Sequence, residues 1–546
     1  MRTSTALDTA DRLNAVLGDD SLTVESVARI SRAVANASVA VDPVARQAMR
    51  ESVVVRNDMI ATRRPVYGVT TGFGDSAQFH LSPAKAAELQ RNMVKYHLTG
   101  TGPIAAADAV RATMLVRANC LARGFSGVRP EVVDLLVACL LNDITPLIPE
   151  RGSVGASGDL VPLCYLADML TGGGDVLHDG ARVTAREAFR ACGLEPVVLQ
   201  PKEGLALING TSFMSGIGTL AAHDARELAW AADVCTALAV EALIGNRDHF
   251  HPLIHRQKPH PGQLVSARRI RALLSGSGLC LGNAEALQAR PDVDDQGLIE
   301  LGKPVQDRYS VRCAPHVVGV LLDTLEWIDR WLNVEINSTN DNPLFDPASG
   351  EVYNGGNFYG GHVGQAMDAL KVAVASVGDL LDRQLALLVD SKFSNGLPPN
   401  LAPSPRFGGD EAGLHHGFKG AQITSSALAA EALKLTNPAT AFSRSTEAHN
   451  QDKVSMGTIA ARDARTTVEL GQQIVAIHLL AVCQAADLRG PHLLGRGTRA
   501  AFDLVRARVP FLDRDRRLDH DIAAVVELIK SGTVRDAVEP LLSEAS

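Results

Sequence analysis

Apolar residues recur at helical spacing along most of this chain, and the pattern strengthens towards its second half. It predicts early helices over 23–34, after Asp42-Pro43, over 82–98, and over two runs within 104–142 that a break at 124–127 separates. Four longer apolar runs follow at 213–244, 317–336, 363–390 and 458–489. Runs of that length with few internal breakers are typical of a helix-bundle core.

The connecting segments are rich in glycine, asparagine and proline. Long loops are predicted over 337–362, 394–422 and 436–452, and a small β element over 172–200, where short Val/Leu pieces alternate with Gly and Asp. We therefore predict a mainly α protein with a central bundle of long helices. The predicted divisions are a polar lead over 1–22, an N-terminal domain over 23–212, the long-helix bundle over 213–490 and a C-terminal helical segment over 491–546.

Composition narrows the class of protein. The 546 residues are 46 % hydrophobic and 21 % charged with a net charge of −8, and no basic stripe is present, so a nucleic-acid partner is not expected. No stretch reaches the ~18 uncharged apolar residues of a membrane span, and the first 20 residues lack a secretory signal. Eight scattered cysteines without a Cys-x-x-Cys pair indicate reduced thiols in a cytoplasmic protein.

The most informative stretch is 151–163, which reads Arg-Gly-Ser-Val-Gly-Ala-Ser-Gly-Asp-Leu-Val-Pro-Leu. At its centre Ala156, Ser157 and Gly158 have side chains small enough for the backbone to fold back on itself. If the Gly158 nitrogen attacks the Ala156 carbonyl and two waters leave, the tripeptide closes into a methylidene-imidazolone ring (MIO), an electrophile that no ordinary side chain supplies. The alternative is a plain turn in which Asp159 caps the following apolar run.

Several inter-helix connectors carry unusual polar density for loops. Loops held on a rigid scaffold are where active sites tend to lie. The relevant segments are 65–75, which contains Tyr67, and 202–211, 306–315, 337–343, 355–358, 417–420 and 446–452. Taken singly, each can also be a cap, a turn or a solvated surface segment.

Together and in order, the 151–163 string and these segments resemble the aromatic amino acid and histidine ammonia-lyases and their aminomutase relatives, over about 60–490. The resemblance implies the ammonia-lyase/fumarase-like fold and a homotetramer whose active sites combine loops from several subunits. It implies that Tyr67 is the catalytic base, that Ala156, Ser157 and Gly158 form the MIO, and that Arg312 binds the substrate carboxylate. It places the following residues around the ring and the substrate: Asn209, Gln306, Tyr309, Phe358, Lys419, Glu447, Asn450 and Gln451.

The chemistry of ammonia elimination explains these residue types. A β-proton of an amino acid is weakly acidic, and ammonia is a poor leaving group, so an electrophile that bonds the amine assists its departure. A tyrosine can remove the proton only as a phenolate, whereas a free phenol ionises near pH ~10. An arginine fork matches a carboxylate and fixes its register. No metal or dissociable cofactor is required, and we interpret His249-x-His251 and His415-His416 as loop residues rather than zinc ligands.

The substrate prediction depends on Tyr96-His97. Within the resembled family, the equivalent pair contacts the far end of the substrate ring: it is usually Phe-Leu in phenylalanine-type members, often contains His in tyrosine-type members, and is Ser-His in histidine-type members. This pair matches none of them fully, but the stretch from Glu447 to Gln451 is similar to the phenylalanine/tyrosine branch. We predict L-tyrosine as the substrate, giving trans-p-coumarate and ammonia. In the alternative, His97 is a core histidine.

Other functions remain open from the sequence alone. A phenylalanine or dual-specificity lyase, a tyrosine 2,3-aminomutase and, more distantly, a histidine ammonia-lyase would use the same catalytic residues. A helical structural protein on the same scaffold, as some crystallins resemble, is a different class of function. The presence of Tyr67, Ser157 and Arg312 argues against a structural protein, since loss of any one would have favoured it.

Overall fold

The computed structural model describes residues 12–289, 297–301, 304–403 and 413–542. Helices dominate these residues, as the apolar spacing predicts. In chain order they are α1 Val24–Arg32, α2 Pro43–Ala61, α3 Pro83–Tyr96, α4 Ala107–Ala122, α5 Pro130–Leu141, α6 Leu160–Leu170, α7 Ala185–Cys192, α8 Glu203–Ile208, α9 Ser212–Ala242, α10 Pro252–Arg256, α11 Pro261–Leu273, α12 Asn283–Ala286, α13 Tyr309–Arg312, α14 Ala314–Ile336, α15 Gly361–Val389, α16 Lys419–Lys434, α17 Gly457–Arg489, α18 Arg496–Arg506, α19 Asp519–Lys530 and α20 Thr533–Leu542.

The predicted helix starts are confirmed by their caps. The Asp42 carboxylate accepts hydrogen bonds from the backbone N–H groups of Val44 and Ala45, and Pro43 occupies the first turn of α2. Ser82 caps α3 in the same way. The four long runs appear as α9, α14, α15 and α17, each within three residues of its predicted ends.

The chain divides into two compact units. The first contains 1–223, 328–368 and 438–465, and the second contains 224–327, 369–437 and 466–546. Each of the four longest helices begins in one unit and ends in the other. Neither unit is therefore a continuous segment, unlike the linear division predicted above with boundaries at 22, 212 and 490.

Every strand that the structure describes belongs to the first unit. β1 (Leu13–Leu17) pairs in parallel with β2 (Ala37–Val41), and the antiparallel sets are β3 (Thr101–Ile104) with β5 (Pro149–Arg151), β4 (Thr145–Pro146) with β6 (Asp175–His178) and β7 (Ala181–Thr184), and β8 (Leu344–Asp346) with β9 (Glu351–Tyr353). The β element predicted within 172–200 is confirmed as the β6–β7 hairpin.

Several short strands lie outside the β element predicted over 172–200, and one of them falls within the polar lead predicted over 1–22. β1 lies within that lead, at Leu13–Leu17, and is invisible to pattern analysis because five residues give little alternation. Its stability comes from pairing with residues 37–41 and not from its own sequence. Residues 1–11 of the lead lie outside the described residues.

The second unit is packed around close helix approaches. A Cβ atom built on Gly471 of α17 would lie 2.7 Å from Leu228 of α9 and 3.1 Å from Val374 of α15, so a larger residue would separate these helices. Of the described helices, α17 is the one whose length and hydropathy would suit a membrane, but 83 % of its apolar window is buried inside the protein. That burial is typical of a core helix.

Candidate active site

A cavity of about 700 Å³ lies within the first unit and gathers residues from widely separated loops. Predicted site residues that line it are Tyr67, Tyr96, His97, Ala156, Ser157, Asn209, Phe358, Glu447, Asn450 and Gln451. Gly158 follows Ser157 in the same loop. Sequence analysis did not identify Phe73, Leu205, Asn342 and Tyr359, which also line the cavity.

The Ala156-Ser157-Gly158 loop is tightly folded. Ser157 and Gly158 both have left-handed backbone conformations, with φ of 51° and 77°. The Gly210 N–H donates to the Ser157 carbonyl at 3.1 Å, and the Gly210 carbonyl accepts from the Asp159 N–H at 2.7 Å. A Cβ on Gly158 would lie 2.1 Å from the Gly210 carbonyl oxygen, so only glycine fits there.

The Asp159 side chain holds this loop in place through hydrogen bonds. Its buried carboxylate accepts hydrogen bonds from the Met214 N–H at 2.8 Å, from the Ser153 hydroxyl at 3.2 Å and from the Thr458 hydroxyl. Burial raises the pKa of Asp159 to about 6. The side chain therefore caps the start of α9 and not, as in the plain-turn alternative, its own helix α6.

The Tyr67 hydroxyl is held at the edge of the cavity by its own loop. Its oxygen accepts the backbone N–H of Gly74 at 3.1 Å, and its ring meets Phe73 edge to face with centroids 6.4 Å apart. This contact is a local property of the 65–75 loop that the sequence pattern could not reveal.

His97 lines the cavity, and the bond of one ring nitrogen sets its tautomer. Its Nδ1 lies 3.0 Å from the Met93 carbonyl oxygen, which can only accept, so Nδ1 carries the proton and Nε2 keeps its lone pair in the neutral ring. Desolvation lowers the pKa of His97, which favours this neutral form. Tyr96 lies against the imidazole with ring centroids 4.3 Å apart, and desolvation raises the pKa of its phenol to about 12.

The 446–451 turn closes another side of the cavity under backbone strain. Glu447, Ala448 and His449 all adopt left-handed conformations, with φ of 53°, 50° and 65°, although none is a glycine. Backbone hydrogen bonds between Thr446 and Gln451 hold the turn. Gln451 Nε2 donates to the Ser157 hydroxyl at 3.4 Å, and Glu447 Oε1 accepts from the Asp75 N–H at 3.2 Å.

A buried ion pair supports Asn209. Lys202 Nζ lies 2.8 Å from both carboxylate oxygens of Asp341, and both side chains are fully buried. Asn209 Nδ2 donates to Asp341 Oδ1 at 3.1 Å and to the Asn342 carbonyl at 2.9 Å. Such a pair contributes little net stability but specifies one arrangement of its partners. The polar segments 202–211 and 337–343 signalled this region, but not the pairing.

Four predicted site residues belong to the second unit, and none of them lines the cavity of the first. Tyr309 is 72 % exposed, and the Arg312 guanidinium lies 4.6 Å from the Tyr309 ring centroid while its Nε donates to the Asp307 carbonyl at 3.0 Å. Gln306 lines a separate cavity of about 110 Å³. Lys419 is an exposed residue at the start of α16.

Histidines of both pairs form hydrogen bonds with other protein groups. His249 Nε2 accepts the Asp307 N–H at 3.1 Å, His251 caps α10 through the Leu253 N–H, and His415 Nδ1 accepts the Asp515 N–H at 3.2 Å. Across residues 12–289, 297–301, 304–403 and 413–542, no group of three or more His, Cys, Asp or Glu side chains is arranged to hold a metal ion.

Comparisons with known proteins cover almost the whole chain. A family model described as aromatic amino acid lyase matches residues 22–507. A histidine ammonia-lyase of Gloeobacter violaceus is 40 % identical over 524 residues, which are 96 % of this chain and 97 % of the relative. A tyrosine ammonia-lyase of Cupriavidus metallidurans is also 40 % identical, over 95 % of this chain and 96 % of the relative. The solved structure of a tyrosine aminomutase from Streptomyces globisporus matches with a TM-score of 0.90 at 38 % identity, over 96 % of this chain and 98 % of that one.

Proposed function

This chain belongs to the aromatic amino acid lyase family and is a carbon–nitrogen lyase, and we propose that its reaction is the release of ammonia from L-tyrosine to give trans-p-coumarate. The observation that carries the substrate choice is His97, which lines the cavity and whose Nδ1 bonds the Met93 carbonyl, so that Nε2 of the neutral ring is left as an acceptor. A phenol hydroxyl is a donor that satisfies it. Incubation with tyrosine, phenylalanine and histidine, with the products separated, tests the proposal directly.

We propose that Ala156, Ser157 and Gly158 cyclise to the MIO group. Two observations support the fit: successive left-handed residues fold the loop back on itself, and the Gly158–Gly210 contact excludes any side chain at Gly158. Once formed, the ring supplies an electrophilic carbon that makes the amine a better leaving group. Gln451, 3.4 Å from the Ser157 hydroxyl, borders the place where the amine would lie.

The Tyr67 phenolate is proposed to remove the β-proton. The electron pair of the broken Cβ–H bond then forms the Cα–Cβ double bond as ammonia leaves Cα. The Gly74 N–H donates to the Tyr67 oxygen and holds it in place at the cavity. The small residues around Ser157 leave room for the substrate between the loop and Tyr67.

We propose that the carboxylate is bound by Arg312 of a neighbouring subunit in a homotetramer, with Tyr309, Gln306 and Lys419 from the second unit completing the site. Two features support this: the cavity of one chain is lined by the first unit alone, and Tyr309 is 72 % exposed. An exposed aromatic beside an arginine is typical of interface residues. We propose the cytoplasm as its location, since all eight cysteines are free thiols.

We expect light scattering to give four times the chain mass of 57.9 kDa for the active enzyme. No arginine is among the described residues that line the cavity of one chain, so subunits separated by dilution should lose activity together with assembly. A fully active monomer would contradict this arrangement.

We expect His97→Leu to move specificity from tyrosine towards phenylalanine. In the wild type, phenylalanine leaves the Nε2 acceptor unpaired, at a cost of about 1–3 kcal/mol or about one to two powers of ten in kcat/KM. Leucine removes that acceptor and makes this end of the cavity apolar. The kcat/KM ratio of tyrosine to phenylalanine should therefore fall by a similar factor, measured on both proteins. An unchanged ratio would mean that His97 is a core histidine.

A tyrosine 2,3-aminomutase is the second candidate, because the aminomutase structure is similar over 96 % of this chain. It would use the same residues but return the amine to the β-carbon. Chromatography of the products for β-tyrosine separates the two outcomes.

A further inference from the structure

One buried carboxamide connects the Tyr67 loop to the helix that ends at Asn209. Gln90, on α3, has no exposed surface. Its Nε2 donates to the Gly68 carbonyl at 2.9 Å, and its Oε1 accepts the Leu205 N–H at 2.9 Å. The side chain thus satisfies two buried backbone groups at once.

The Gly68 carbonyl belongs to the residue directly after Tyr67. Gly68 has φ of 65°, and a Cβ there would lie 2.6 Å from Phe73 and 2.7 Å from Leu205. The Val66 and Gly68 N–H groups are bonded by Thr70 and Thr71, which belong to the same loop. Gln90 instead comes from a separate, rigid element, so it fixes the loop relative to the rest of the site.

The other end of the carboxamide reaches α8. This helix is buried over its whole length, and Asn209 is its C-cap residue. A Cβ on Gly204 would lie 3.1 Å from Gln90, so the glycine gives the carboxamide room. The same helix α3 ends at Tyr96, next to His97.

We propose that Gln90 is a positioning residue for catalysis: it holds the Tyr67 loop at a fixed distance from α8 and from the His97 end of the cavity. The inference rests on the proposed role of Tyr67 as the base. It follows that the proton-transfer step, and not substrate binding, depends on the Gln90 carboxamide. An error of about 1 Å in the position of a reacting group costs on the order of 100-fold in rate.

The test is Gln90→Met, which keeps the length of the side chain and deletes both hydrogen bonds. The MIO ring absorbs in the near ultraviolet, and this absorbance counts the subunits that have formed it. We expect kcat per absorbing subunit to fall about 10- to 100-fold. KM should change by less than about threefold, because no side chain that lines the cavity is replaced. With β-deuterated tyrosine, the isotope effect on kcat/KM should be at least as large as in the wild type, since proton transfer becomes slower.

Gln484→Met is the matched control. Gln484 is also buried: its Nε2 donates to the Leu512 carbonyl at 2.8 Å and to the Leu401 carbonyl at 3.4 Å, and its Oε1 accepts the Leu512 N–H at 3.0 Å. It lies in the second unit and is not part of the proposed site. Both variants should show a comparable drop in unfolding midpoint, but Gln484→Met should keep kcat per absorbing subunit within about twofold of the wild type.

Gln90→Glu tests the donor separately. Its carboxyl still accepts the Leu205 N–H, and when protonated it can also donate to the Gly68 carbonyl. We expect kcat above that of Gln90→Met, with the ratio to wild type rising as the pH is lowered.

The inference is overturned if Gln90→Met and Gln484→Met give the same kcat per absorbing subunit, or if Gln90→Met raises KM and leaves kcat unchanged. Both results presuppose a wild type that releases ammonia and shows a β-deuterium isotope effect. If the wild type turns over none of the three amino acids, the proposed function itself fails, which is a different result from equal behaviour of the two variants.

Discussion

Ser157→Ala is expected to fold normally and to lose almost all turnover, by a factor on the order of 10³ or more, as removal of a covalent catalytic group gives. The proposed ring takes its exocyclic methylene from this residue, so alanine cannot form it. The near-ultraviolet absorbance should disappear with the activity. Ultraviolet spectra and ammonia release on the same samples provide the measurement.

The fold should survive because the structural cost is small. Within the described part of the chain, the Ser157 side chain makes one hydrogen bond, the long contact from Gln451 at 3.4 Å. Alanine adopts the left-handed conformation at a cost similar to that of serine. Ser425→Ala, which removes a fully buried hydroxyl from α16, is the control and should retain absorbance and activity. Full activity of Ser157→Ala would refute the MIO proposal.

Tyr67→Phe is expected to lower kcat by about 10²–10⁴-fold with little change in KM. Phenylalanine keeps the edge-to-face contact with Phe73 but deletes the oxygen that would accept the β-proton. The hydrogen bond from the Gly74 N–H is lost as well. Because the loop around Ser157 is untouched, the near-ultraviolet absorbance should remain, which distinguishes this variant from Ser157→Ala.

Tyr165→Phe controls for the loss of a tyrosine hydroxyl as such. The Tyr165 hydroxyl also accepts a glycine N–H, that of Gly100 at 3.0 Å, but it does not line the cavity. Its removal should cost a comparable amount of stability and leave kcat close to the wild type. If the two variants lost equal activity, or if Tyr67→Phe lost none, the base would have to be assigned elsewhere.

Local sequence information was enough for the helices and for the central motif. Apolar period and capping residues act over one or two turns, which is why α2, α3 and the four longest helices appear where predicted. The proposed ring closure is likewise chemistry among three consecutive residues, so the 151–163 string signals it without any tertiary context. His97 also depends on a contact four residues away, to Met93.

Long-range packing determines how the residues of the candidate site are held together. Gly158 must be glycine because Gly210 lies against it. Asn209 is held by Asp341, which pairs with the buried Lys202. The Tyr67 loop is fixed by its hydrogen bond from Gln90. Each of these contacts closes a long loop and depends on the exclusion of water, and neither condition leaves a periodic signal in the chain. The strands other than β6 and β7 escaped prediction because they are too short to show alternation. The strained turn at Glu447 escaped it because left-handed backbone conformations of residues other than glycine leave no periodic signal.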